Sequence, residues 1–269
     1  MIGITSPIKA VARKAGIRRA GLAAFRTQAE RSVLAATGRR GVSTVGRILC
    51  YHSVGTPEWG VNDVSPSRFR AHLEIAMRLG YTFVPASAVA EGKGSPNDIA
   101  ITFDDGLVSV AKVAAPILKE YGIPWTLFVV AGWTDGHHGF GDGVIMDWSD
   151  VEHLAARGVE IGSHSLSHPD FGSLTASAAR QELVESRRLI EARTGIRTGA
   201  FAIPLGQSRN WSPAARAAAE EAGYKLVYSQ SVLSRPPGTV PRTFITRGDD
   251  HRLFRAALEG AFDGWEERL

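Results

Sequence analysis

Two pairs of residues in this 269-residue chain have the types and spacing to carry out chemistry: the adjacent carboxylates Asp104-Asp105 and the imidazoles His164 and His168. Taken alone, Asp-Asp-Gly reads first as a solvated turn, and a His-x3-His pair is more often exposed or buried than ligating. Together they carry more. If His164-Ser-Leu-Ser-His168 turns helically, its imidazoles lie on one face. Two such histidines and one carboxylate make a three-ligand site that leaves positions open for water, the composition of a catalytic zinc or other divalent-metal site.

Both pairs stand where strands are expected to end. Ile99-Ala-Ile-Thr-Phe103 is a continuous apolar run that stops at the acid pair and Gly106, the pattern of a strand buried on both faces. Val159 to His164 repeats it. Further strands are predicted over residues 47–52, 81–85, 125–130, 199–203, 225–229 and 243–246. Helices are predicted over 66–79, 108–121, 147–157, 176–194, 213–222 and 253–262, several of them stopped by glycine. Gly132 to Gly143 reads as a long loop. Strand and helix alternate, so the fold class is α/β, and seven or eight units fit a distorted (β/α)7-type barrel better than an open sheet. Residues 47–269 are assigned to that domain and residues 1–46 to a basic helical extension.

Thr102-Phe-Asp-Asp-Gly106 together with His164-Ser-Leu-Ser-His168-Pro169 resembles the polysaccharide deacetylases, the NodB-homology enzymes of carbohydrate esterase family 4. The resemblance covers roughly residues 47–230. It implies a metal-dependent hydrolase that removes acetyl groups from a carbohydrate, with Asp105, His164 and His168 holding a divalent metal, zinc first among the candidates, and Asp104 as catalytic base. A metal that neutralises Asp105 would let its neighbour stay ionised. The motif matched by Phe201-Ala-Ile-Pro-Leu-Gly206 makes the Leu205 N–H the oxyanion donor. That motif departs from the common pattern, because Ala202 stands near the position of an expected arginine and Leu205 replaces an aromatic residue. Tyr51-His52-Ser53-Val54 resembles the first strand of the exopolysaccharide and biofilm branch, which makes His52 the general acid and His251, in Gly248-Asp-Asp-His-Arg252, its rival.

Other residues are weaker candidates. Trp148 and Trp211 could stack on sugar rings or serve as core aromatics. Cys50 shares a strand face with His52 and reads as a buried cysteine, while His137 and His138 read as loop-rim residues. A single cysteine excludes an internal disulfide and a cysteine-rich zinc module. Residues 1–47 hold ten Lys or Arg against the one acid Glu30, so the rest of the chain is net acidic despite the overall +4. Ile8, Val11, Ala15, Leu22, Phe25 and Ala29 recur at helical spacing, which suits a basic amphipathic helix on an anionic membrane surface or a solvated lead-in. The apolar run behind Arg18-Arg19 is too short for an export signal, so the expected location is the cytoplasm or the inner membrane face. A carbohydrate-binding member without turnover is the alternative function. A specific nucleic-acid partner is not expected.

Overall fold

The structure, a computed structural model, describes residues 26–41 and 43–266. The described residues begin with α1 (residues 26–37), β1 (Arg47–Tyr51), the short pair β2 (Ser53–Val54) and β3 (Asp63–Val64), and α2 (Pro66–Arg78). β4 (Thr82–Phe83), α3 (Ala86–Ala90), β5 (Asp98–Phe103), α4 (Ala115–Glu120), β6 (Trp125–Val129), α5 (Ala131–Thr134), α6 (Trp148–Ala156) and β7 (Glu160–Ser163) follow. The last part holds α7 (Ala176–Thr194), β8 (Ala200–Ala202), α8 (Pro213–Glu221), β9 (Leu226–Tyr228), β10 (Thr243–Phe244) and α9 (His251–Leu258).

Apolar runs buried on both faces pair in parallel, and the sheet runs β10-β1-β5-β6-β7-β8-β9, with β4 beside the first residues of β5. The barrel expectation holds, with one seam left open. β9 and β10 are joined there by a single bridge between Tyr228 and Val240 and by the Arg242 Nε–H, which donates to the Ser229 carbonyl at 3.1 Å.

Alternation along each strand decides what faces inward. Ile48, Ala100, Phe128, Ala202 and Tyr228 pack as one interior cluster, while Ile99, Ile101 and Phe103 join the larger core with α2 and α4. The Phe128 ring fills so much of the interior that a Cβ on Gly162 would lie 2.4 Å from it. Continuing the same alternation, Cys50 and His52 extend the inward face of β1 and Asp104 that of β5.

Three local readings change. α3 is too short for a helical period to register, and α5 runs into the first residues of the segment expected to be a loop. The last helix starts at His251, two residues early, because Asp250 caps it by accepting from Leu253 N at 2.9 Å.

The proposed amphipathic stretch from Ile8 lies outside the described residues, apart from its end at Ala29 in α1. No described helix is long and apolar enough to cross a membrane. α1 itself falls within the stretch assigned to an extension, yet it docks on the barrel. Its fully buried Arg31 donates to both carboxylate oxygens of Asp249, at 3.0 and 2.6 Å, and to the Phe244 carbonyl at 3.2 Å.

Behind this pair lies His72, stacked on Phe254 at 4.1 Å, donating to the Asp249 carbonyl at 2.7 Å and accepting from the Tyr51 hydroxyl at 3.1 Å. Burial pushes its pKa down from 6.5 to about 4, against the opposing pull of Asp249. The unfolded imidazole therefore takes up a proton first, and as pH falls from 6.5 towards 4 the His72 contribution to stability falls by up to about 3 kcal/mol. His72→Phe keeps the stacking but abandons two polar partners. In urea unfolding it should lose about 1–3 kcal/mol at pH 7 and show a shallower decline towards pH 4 than wild type.

Candidate active site

The C-terminal ends of the parallel strands bring the two motifs together. Asp105 Oδ1 lies 3.6 Å from His164 Nε2 and 3.6 Å from His168 Nε2, and the two rings are 4.9 Å apart at 68°. The helical turn expected between the histidines does not form. Ser165 and His168 adopt positive φ of 75° and 62°, and the segment is an irregular loop. Asp105 at 73° and Leu205 at 64° are the other non-glycine residues with positive φ among the described residues. All four lie just past the ends of β5, β7 and β8. Left-handed backbone at such residues costs of order 1–3 kcal/mol each and persists where the surroundings over-determine it.

The donor set suits a divalent cation. His164 Nδ1 donates to the Ala202 carbonyl at 2.9 Å, which leaves Nε2 as a lone pair turned to the cluster. Burial pushes His164 down to about 3 and lowers His168, so both imidazoles are neutral. Burial also raises Asp105 to about 6, a carboxylate short of positive charge. One buried carboxylate oxygen and two neutral imidazole nitrogens within ligand distance of each other are a fit for zinc or a similar ion.

Asp104 is held differently. Arg242, from the residue before β10, clamps it with two hydrogen bonds of 2.6 and 2.8 Å, and both side chains are buried. Burial alone would raise the Asp104 pKa, but the Arg242 guanidinium and its hydrogen bonds hold it well below the usual carboxylate range. Arg242 also donates to Thr102 Oγ1 at 3.2 Å and lies 5.3 Å above the Phe128 ring.

Opposite stands β1. One ring nitrogen of His52, Cys50 Sγ and an Asp104 oxygen lie within 4.8 Å of one another. The Gln230 amide nitrogen lies 3.3 Å from His52 Nε2, to which it donates when that nitrogen is unprotonated, and donates to Cys50 Sγ at 3.4 Å, and the His52 ring packs edge-on against Phe244 at 5.5 Å. His52 Nδ1 is buried and has no hydrogen-bond partner among the described residues. The Cys50 thiol lies 3.5 Å from Asp104 Oδ2, and burial, reinforced by Asp104, pushes its pKa far up, so it stays protonated and is no nucleophile. Gln230 reaches the third side as well, because its N–H donates to the Gly206 carbonyl at 2.7 Å. A Cβ on Gly206 would lie 2.4 Å from Gln230 Cβ, so this close approach, with φ of 66°, requires glycine. That contact sets the turn carrying Leu205, whose side chain is 36% exposed.

The remaining candidates stand apart from this cluster. His251 is exposed at the start of α9, beside Ser65 and Arg68. Trp148 and Trp211 are both 7% exposed, the first donating to Asp135 at 2.9 Å and the second packed on Phe171 and Phe201. His137 is exposed and His138 leans on Phe140. Instead, Trp133 stacks on His168 at 5.2 Å and Trp59 lies beside Asp105 and favours its ionised form, with Phe140 touching both indoles. Arg242, Gln230, Trp59 and Trp133 were not found from the sequence. Arg242 left one signal, a lone cation opening the apolar run Thr243-Phe-Ile.

Comparison with known proteins agrees with this fold. The sequence profile of the family described as polysaccharide deacetylase matches residues 91–227. The Bacillus subtilis protein YxkH, whose name places it among polysaccharide deacetylases, is 28% identical over 221 residues, covering 79% of this chain and 75% of that one. Among solved structures, the Streptococcus pyogenes deacetylase PplD in complex with acetate has a TM-score of 0.69 at 21% identity, covering 83% of this chain and 100% of that one. IcaB from Ammonifex degensii has a TM-score of 0.65 at 24% identity, covering 82% and 100%.

Proposed function

Since the chain belongs to the polysaccharide deacetylase family, we propose that it is a divalent-metal-dependent hydrolase removing acetyl groups from an N-acetylated carbohydrate, an N-acetylglucosamine-containing polysaccharide or glycan precursor. The observation that carries this reading is the meeting of Asp105, His164 and His168 beside a buried, ionised Asp104. Asp105 Oδ1 and the two Nε2 atoms would hold the cation. When bound, it supplies Lewis acidity to water and to the acyl carbonyl.

The protein's own groups divide the proton work. Asp104, kept ionised by Arg242, accepts the proton of the attacking water. His52, on the facing strand, gives a proton to the departing amine when it carries both ring protons, its Nδ1 having no hydrogen-bond partner among the described residues. The Leu205 N–H, in a turn fixed through Gly206 and Gln230, donates to the oxyanion. Trp59, Trp133 and Phe140 make one wall beside the ligand set, and the acyl group would enter against it.

Acetate release from a panel of chitooligosaccharides tests the reading. Protein stripped by a chelator should lose activity at least about 100-fold and regain it with one equivalent of zinc, as expected when the ion supplies the Lewis acid. Activity indifferent to chelation would refute the metal dependence. Stoichiometric zinc binding without turnover on any N- or O-acetylated sugar would favour a carbohydrate-binding role instead.

A further inference from the structure

The loop between the two histidines is held mostly by acceptors brought from outside it. His164 N donates to the Val129 carbonyl at 2.8 Å, Ser165 N to Ser163 Oγ at 3.1 Å and His168 N to Ser165 Oγ at 2.8 Å. The two N–H groups between them, on Leu166 and Ser167, both donate to Glu182 Oε2, at 3.0 and 2.9 Å. The Ser167 hydroxyl donates to Glu182 Oε1 at 2.6 Å. Every backbone N–H from 164 to 168 is thereby accounted for without one helical bond.

Glu182 reaches the loop from α7, a helix separate from the strand that carries His164. One turn further along, Ser186 accepts from Ser163 Oγ at 2.9 Å, so one face of α7 supports the start and the middle of the segment. On the opposite side, the Ser165 and Leu166 carbonyls accept from Ala131 N and Gly132 N at 3.0 and 2.8 Å. Ser165 and His168 need such surroundings, because their left-handed backbone is unfavourable on its own. Glu182 contributes three of the bonds, and it is the one carboxylate that spans the middle of the loop.

We propose that Glu182 is a positioning residue, which sets the separation of the His164 and His168 nitrogens and so the affinity of the site for its cation. This rests on the reading that these histidines hold a metal. The role is one of reach, since a side chain of glutamate length places a single oxygen where both N–H groups converge. Aspartate keeps the charge and loses the reach, whereas glutamine loses the charge and keeps an oxygen at that length.

Zinc affinity, measured on full-length protein by competition with a chromogenic chelator, separates these properties. Glu182→Asp should bind zinc about 10-fold to 100-fold more weakly than wild type and Glu182→Gln within about 3-fold, as for outer-shell groups that orient ligands. The visible spectrum of the cobalt-substituted proteins should change in band shape for Glu182→Asp and stay close to wild type for Glu182→Gln. The reverse order would assign the effect to charge and overturn the proposal. Equal affinities for all three proteins, or equal losses in both variants, would overturn it too. Wild-type protein that binds no zinc would refute the metal site itself, a result distinct from any of these. Circular dichroism of the metal-free proteins checks that both variants are folded.

Discussion

Asp104→Asn should lower acetate release about 10²-fold to 10⁴-fold while zinc affinity stays near that of wild type. The amide has the shape of the carboxylate but cannot accept the proton, and Asp104 is outside the Asp105-His164-His168 ligand set. Wild-type turnover in this variant would remove Asp104 from proton transfer. Its partner gives the complementary experiment. Arg242→Met strands a buried carboxylate, which costs about 3–5 kcal/mol of stability when one member of a buried pair is removed. Burial already pushes the Asp104 pKa upward, and without the guanidinium nothing of comparable strength opposes it. The carboxylate then protonates as pH falls through this raised value, so the acid limb of the pH profile of kcat/KM should move to higher pH. The double variant Asp104→Asn/Arg242→Met should recover part of the stability and none of the activity. A profile unchanged in Arg242→Met would show that the arginine does not control the protonation of Asp104.

The second large effect is expected where α1 meets the end of β10. Arg31→Met should destabilise the protein by about 3–5 kcal/mol, because it leaves Asp249 charged and fully buried. Asp249 also accepts from Thr246 N at 2.8 Å, and Gln28, one turn before Arg31, donates to the Gly248 carbonyl at 3.1 Å. α1 therefore fixes the loop 246–249 that follows β10. The guanidinium lies 3.9 Å from the Phe262 ring centre, which ties the stretch after α9 into the same cluster. Urea unfolding at neutral pH measures the loss. A change below about 1 kcal/mol, the range of an exposed pair, would mean that α1 is dispensable to the barrel.

How much of this was legible in the sequence follows from the range over which each feature is determined. The strand from Ile99 and its acidic end could be read because an apolar run and its stop are local. The assignment of α7 matches to the residue, since Thr175 caps its start and Gly195 ends it in the left-handed conformation. The His164–His168 pair was legible as a pair but not as a loop. Its conformation is set by Glu182 and by Ala131 and Gly132, and no local pattern reports those bonds. Trp148 and Trp211 show the limit for aromatic residues, where a helix start does not reveal whether a ring faces solvent or core. Arg242 was invisible for a stronger reason. An arginine at the position of Ala202 would reach the site from β8, whereas the Arg242 guanidinium enters from the other side of the open seam.

That arginine has a consequence for how the protein comes to be active. Asp104 and Arg242 are 138 positions apart, and Arg31 and Asp249 are 218 apart. During synthesis the strand bearing both aspartates is made long before its counter-charge leaves the ribosome, and contacts of such separation form late and slowly. Until β10 docks beside β1, Asp104 is a carboxylate without its cation, and burying it is unfavourable. Closure of the interior and completion of the proton-transfer group are then one event, so a nascent chain that has not yet added β10 has neither.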